Sequence, residues 1–178
     1  IHSGYAALPW DDLHTLFTAF VGDLLMTASH LKSTDVLVYR DPAEWSDKDF
    51  LPFRQMVRLS DLAGGRFTDQ AGQAVEQAFR QMYLRVVVVL ENDPTISAAF
   101  LGNIFDQLGF EDDCIVLAPT REGRPALVGF KSNHSKVFDS AEGDPLLKPD
   151  LFVRRLCALE TQLFLTSAGN SLENGPGL

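Results

Sequence analysis

From Pro9 onward the hydrophobic positions recur every third or fourth residue: Leu13, Leu16, Phe17, Phe20, Val21, Leu24, Leu25 and Ala28. That spacing lines one face of an α-helix, and Asp11 and Asp12 stand in the first turn, where the helix dipole favours negative charge. The period then shortens. "DVLVYR" at 35–40 reads as a short strand and "MVRLS" at 56–60 as another, while the proline- and charge-rich "DPAEWSDKDFLPF" between them is a loop with at most a turn or two of helix. After a turn at Gly64 and Gly65, residues 68–83 return to helical spacing, with Ala71, Val75, Ala78, Phe79 and Met82 on one face.

The stretch "RVVVVLENDPTISAAF", starting at Arg85, is the most informative. A continuous β-branched run bounded by polar residues is the pattern of a strand covered on both faces, so 86–90 is predicted as a central parallel strand with Val87 and Val89 deeply buried. A strand on each of its edges is then required, because buried backbone groups need partners. The helix predicted for 94–108 carries Ile96, Phe100, Leu101, Ile104, Phe105 and Leu108; Asp93 would cap it and Pro94 would take its first position. "CIVLAP" at 114–119 and "PALVGF" at 125–130 are apolar strands joined as a hairpin by "TREGR". Residues 149–165 form a last amphipathic helix, running into a strand at 163–165. The polar, glycine-rich 166–178 reads as a flexible tail.

Helices alternating with strands imply an α/β fold in which a mostly parallel sheet is covered on both faces, three layers in all. Length and a 46% hydrophobic content suit one domain, 1–165. Fifteen basic against 24 acidic residues give a formal charge of -9, a field that repels nucleic acid and anionic lipid, though local amides or a cation can still hold a nucleotide. No apolar run approaches the ~20 residues of a membrane span, and no secretory pattern opens the chain, which therefore reads as cytoplasmic. Cys114 and Cys157 lie in apolar segments and are expected to be buried free thiols. His2, His14, His30 and His134 have no metal-ligand spacing, and no nucleophile-elbow or phosphate-loop motif occurs. Trp10 and Trp45 read as packing residues.

Two stretches carry a family resemblance. "GQAVEQAFRQMYLRVVVVLENDPTIS" resembles the glycine-led helix, buried strand and following "GSDCP" segment of the bacterial DUF2064 family, and "VLAPTREGRPALVGF" resembles that family's "LGPAEDGGYYLIGL". The likeness extends over about 9–165. It implies a Rossmann-like nucleotide-diphospho-sugar transferase (GT-A) fold, similar to molybdenum-cofactor guanylyltransferases, with a nucleotide or nucleotide-sugar as substrate. Members open with a first strand and a basic loop of the "PGKVKTRL" kind; this chain enters at the following helix, so the missing strand is expected from upstream residues, a rearranged local segment or a second subunit. Association into a homo-oligomer is one of those expectations.

The departures shape the candidate site. Asn92 stands where the family's aspartate contacts metal or nucleotide-sugar, and a neutral amide is a poor ligand for a hard cation. Glu91 and Asp93 flank it and are the candidate replacement carboxylates for Mg²⁺, whose binding is therefore expected to be weak. In the second motif the acidic and glycine positions survive as Glu122 and Gly123, beside Arg121 and Arg124, and both tyrosines are gone. The two arginines could meet a phosphate, though arginines in a polar loop are more often a solvated surface. The family's "WST" and "DVDT" stretches are not recognisable. The candidate substrate-binding set is thus Glu91, Asn92, Asp93, Glu122 and Gly123, with no catalytic residue assigned. Two functions follow: a Mg²⁺-assisted nucleotidyl- or glycosyltransferase with a degraded site, or a divergent binding or scaffold protein that kept the fold and lost the metal site. Glu122 and Gly123 also have a plain structural reading, as a hairpin turn.

Overall fold

The computed structural model describes residues 9–62, 65–91, 95–110, 112–120 and 122–166. Asn92, Asp93, Pro94, Arg121, Gly64 and the tail beyond Thr166 lie outside them. The chain falls into two compact units, Ile1–Leu62 and Ala63–Leu178.

The first unit contains helix α1 (Trp10–Ser29), strand β1 (Val36–Arg40), a 3₁₀ segment (Asp47–Phe53) and strand β2 (Val57–Asp61). The two strands are parallel, Val36 opposite Val57 and Arg40 opposite Asp61. Leu25, Phe50 and Val57 are buried together, with Val21, Val36, Val38, Trp45 and Phe53 packed around them. Trp45 is therefore a packing residue, as its setting in the sequence suggested. Ser46 starts the 3₁₀ segment: its amide and hydroxyl both donate to the Asp49 carboxylate, at 2.8 and 3.0 Å. At the end of β1 the Arg40 guanidinium donates to Asp61 (2.9 Å), to the Asp47 carboxylate and to the Trp45 carbonyl (3.2 Å).

The second unit contains helix α2 (Phe67–Arg80), strand β3 (Val86–Val89), helix α3 (Ala98–Gln107), strands β4 (Cys114–Pro119) and β5 (Pro125–Phe130), a 3₁₀ turn (Ser135–Phe138), helix α4 (Pro149–Cys157) and strand β6 (Gln162–Leu165). Its sheet has the order β3-β5-β4-β6. β5 is antiparallel to both β3 and β4, and β4 is parallel to β6, so β3, β4 and β6 share one direction and β5 reverses it. The sheet is mixed, whereas β1 and β2 form a parallel pair; the expected mostly parallel sheet holds only in part.

Alternation along the strands assigns the two faces. Ile115, Leu117, Val128 and Phe130 join Ala71 and Val75 of α2, Phe138 of the 3₁₀ turn, and Phe152 and Leu156 of α4 in one buried cluster. On the opposite face Gly129 meets Leu108 and Ile104, so α3 covers it. This unit is thus three layers deep, helices on both sides of the sheet. The hydroxyl of the fully buried Thr68 donates to the Asp144 carboxylate, which also accepts from the Leu146 amide at 2.9 Å. This ties the 139–148 connection to the start of α2.

The structure departs from the sequence expectations at several elements. β3 is hydrogen-bonded to a strand on one edge only among the described residues, and it lies beside the antiparallel β5 instead of between parallel neighbours. All four of its valines, Val87 and Val89 included, are half-buried and not deeply buried. The Leu90 amide donates to Ala126 at 2.8 Å, which fixes the ladder phase: Val86 and Val88 face β5, and the amides and carbonyls of Val87 and Val89 point to the other edge. Second, α3 starts at Ala98 and not at Pro94. Ser97 caps it by accepting from the Phe100 amide at 3.1 Å, and Asp93 and Pro94, the expected start, lie outside the described residues. Third, Cys114 is buried but Cys157 is exposed. On α4 the buried stripe is Phe152 and Leu156, four apart, and Cys157 falls about 100° further round. β6 is also a separate strand, beginning five residues after α4 ends.

Candidate functional site

The hairpin turn between β4 and β5 is built by Thr120 and Gly123. Thr120 donates its amide to the Arg124 carbonyl (2.7 Å), its carbonyl accepts from the Gly123 amide (3.0 Å), and its hydroxyl accepts from the amides of Glu122 and Arg124, each at 3.2 Å. Gly123 has φ +81°, a left-handed conformation that glycine adopts without the penalty of a Cβ. Gly123 is thus fully accounted for as a turn residue.

This turn sits at the carboxyl end of β4. Glu91, two residues beyond β3, is at the same end of the sheet, because β3 and β4 run in one direction. The chain brings them together through Arg124: its Nη2 lies 2.6 Å from Glu91 Oε1 and 3.4 Å from Glu122 Oε2. Arg124 and Glu91 are half-buried, whereas Glu122 is exposed. The structure therefore joins Glu91 and Glu122, 31 positions apart in sequence, around the Arg124 guanidinium, a pairing that spacing does not announce. Asn92 and Asp93 lie outside the described residues.

A hard divalent cation needs several oxygen ligands, chiefly carboxylate. At this crest the two described carboxylates already face a cation of the protein's own. No group of three or more His, Cys, Asp or Glu side chains within reach of one ion occurs among the described residues. As arranged, Glu91 and Glu122 are turned to Arg124, and Asp93, the other candidate carboxylate, is outside the described residues.

A second polar pair, not foreseen from spacing, lies at the opposite end of the sheet. His134 Nε2 is 2.8 Å from Asp113 Oδ2, where Asp113 leads into β4 and His134 follows β5. Burial raises the Asp113 pKa, but hydrogen bonds from His134 and Ser132, the His134 charge and the Cys114 amide outweigh it and hold the carboxyl below its ordinary range. The Asp113 carbonyl also accepts from Thr161 at 2.8 Å, so the pair sits in the seam between β4, β5 and the approach to β6. Burial pushes the nearby Cys114 thiol up, away from nucleophilic use. In the first unit an open groove carries His14 at 3.5 Å from Asp49, with Gly22, Met26 and Phe53 in its wall. No helix among the described residues is long and apolar enough to cross a membrane.

Comparison with known proteins bears on the fold. No family model matches the chain, and no curated protein does. Among solved structures, the chain is similar to the crystal structure of the "putative nucleotide-diphospho-sugar transferase" from Desulfovibrio desulfuricans, with a TM-score of 0.70 and 21% identity over 88% of this chain and 68% of that one. At that identity the likeness is one of fold. The chain has the α/β architecture of that transferase-like protein.

Proposed function

We propose that the chain binds a nucleotide or nucleotide-sugar at the sheet crest where Glu91, Arg124 and Glu122 meet, and serves a glycosyl- or nucleotidyl-transfer reaction there. The observation that carries this is the position of the triad. In open α/β sheets, ligands occupy the crevice at the carboxyl ends of the strands, and these side chains stand at that end of β3 and β4. The fold shared with a transferase-like protein supports the same reading, as does the resemblance of the 72–97 and 116–130 stretches to the DUF2064 family. A departing nucleoside diphosphate develops charge that a positioned cation stabilises. Mg²⁺, the usual source of such charge, is a weak partner here, since its ligands would have to leave Arg124. A panel of nucleoside diphosphates and their sugar conjugates, titrated by calorimetry with and without Mg²⁺, tests the proposal. One base class should bind in the micromolar to millimolar range, and hydrolysis or transfer should follow with the matching sugar conjugate. If no nucleotide of any class binds under either condition, the proposal fails.

A second reading, a binding or scaffold protein without catalysis, is favoured by one specific observation. Both described crest carboxylates, Glu91 and Glu122, are engaged by Arg124, and Asn92 stands at the position of the aspartate in the family it resembles. Nucleotide binding with no turnover across acceptors would select it.

A further inference from the structure

We infer that Arg124 is the phosphate-binding cation of this crest, that Glu91 is its resting partner, and that a diphosphate displaces Glu91 to bind without a divalent ion. The inference rests on the nucleotide reading and assigns the residue that receives the ligand's charge.

Four features of the triad carry it. Arg124 closes the turn of the β4–β5 hairpin, its amide and carbonyl both held by Thr120 (3.2 and 2.7 Å), so its guanidinium is presented from a backbone fixed on both sides. It stands at the carboxyl ends of the parallel strands, where a ligand of this architecture would lie. Glu91 and Glu122 both reach the same nitrogen, Nη2. A phosphate can instead take two parallel hydrogen bonds along the planar guanidinium edge, the stronger and more directional arrangement. Finally, the partners are half-buried and exposed, so the resting ion pair is solvent-screened and weak, and yields to a better anion.

Charge decides how the exchange must run. Among the described residues of the crest two carboxylates face one guanidinium, and the whole chain carries -9. A diphosphate approaching it is repelled until Glu91 turns away. Neutralising Glu91 should therefore strengthen diphosphate binding. If Glu91 were a ligand for Mg²⁺ that in turn held the diphosphate, the same change would weaken it. The two roles thus predict opposite signs for one substitution.

The test is calorimetric titration of pyrophosphate and of nucleoside diphosphates into the full chain in metal-free buffer containing chelator. Glu91→Gln should tighten binding by about threefold or more, and Arg124→Gln should loosen it about tenfold, the scale of a lost charged hydrogen bond. A gain in Glu91→Gln cannot come from misfolding, and circular dichroism checks the fold of Arg124→Gln. Nucleoside diphosphates bound equally by the parent chain and Arg124→Gln would overturn the inference and leave the nucleotide reading standing. Weaker diphosphate binding by Glu91→Gln would also overturn it. Pyrophosphate bound with the expected pattern, but no nucleoside diphosphate bound, would uphold the Arg124 anion site and end the nucleotide reading. Neither ligand bound by any variant would overturn both.

Discussion

A Cβ placed on Gly129 would stand 2.9 Å from Cδ1 of Leu108 and 3.1 Å from Cγ2 of Ile104, so α3 rests on β5 at the one strand position with no side chain. Leu108 and Ile104 are both fully buried and have little room to move. Gly129→Ala should therefore destabilise the protein by about 1–3 kcal/mol through overpacking. Thermal or urea unfolding of the variant measures this directly. An unchanged midpoint would mean that α3 can lift off the sheet freely.

Thr68→Val keeps the shape of a fully buried side chain but removes the hydroxyl that donates to Asp144. The Asp144 carboxylate keeps the Leu146 amide and loses its other described donor. A cost of about 1–3 kcal/mol is expected in urea unfolding, and Thr68→Ser should recover most of it. Equal stability of the valine and serine variants would show that the hydrogen bond contributes nothing net.

The Asp113–His134 pair predicts an acid dependence with a definite sign. Because the folded Asp113 pKa is lowered, its contribution is complete above the unfolded value of about 4 and is lost as pH falls through the folded value. The midpoint difference between the parent chain and Asp113→Asn should accordingly shrink between about pH 5 and pH 2. A difference constant across that range would separate Asp113 from acid unfolding. Since Asp113 is partly exposed, solvent screening keeps the effect small.

Amide exchange should distinguish neighbouring valines. The Val88 amide faces β5, whereas those of Val87 and Val89 point to the edge where no described strand is bonded. Val88 should be protected and Val87 and Val89 should exchange faster in hydrogen-exchange NMR. Uniform protection of all three would reveal a strand on that edge, from this chain or a second copy.

Those valines also mark where sequence reading stops. The runs at 114–119 and 125–130 and the turn between them match the observed strands and hairpin, because continuous apolar segments flanking a short polar, glycine-bearing loop specify their own pairing. Apolarity in β3 signalled burial, but the pattern of one strand carries no record of its neighbours, and the hairpin strand β5 rather than a parallel strand lies beside it. At the start of α3, Asp93-Pro94 has the composition of a helix start, whereas the structure caps the helix four residues later, at Ser97. Cys157 was read with its apolar neighbours and not by its angle on α4. At the site, Glu91 and Glu122 were legible as crest residues through family resemblance and strand-end position. Arg124 was legible only as one of two loop arginines that could meet a phosphate or stay a solvated charge; its pairing with Glu91 appears only once folding brings the two together. His134 and Asp113 are 21 positions apart and show no motif at all.

The strand order β3-β5-β4-β6 has a consequence for the order of assembly. Only β4 and β5 are joined by a tight turn; the pairings of Val86 with Phe130 and of Cys114 with Gln162 each close a long stretch of chain. Loop closure of that kind precedes any reward from non-local contacts, so the hairpin is expected in the folding nucleus, with β3 and β6 added from either side. Leu117→Ala in β4 should then slow refolding in stopped-flow measurements, whereas Leu163→Ala in β6 should chiefly hasten unfolding. The reverse pattern would place the nucleus elsewhere. On this order the turn that carries Arg124 is in place before Glu91 arrives beside it, so the cation is laid down first and its partner is recruited.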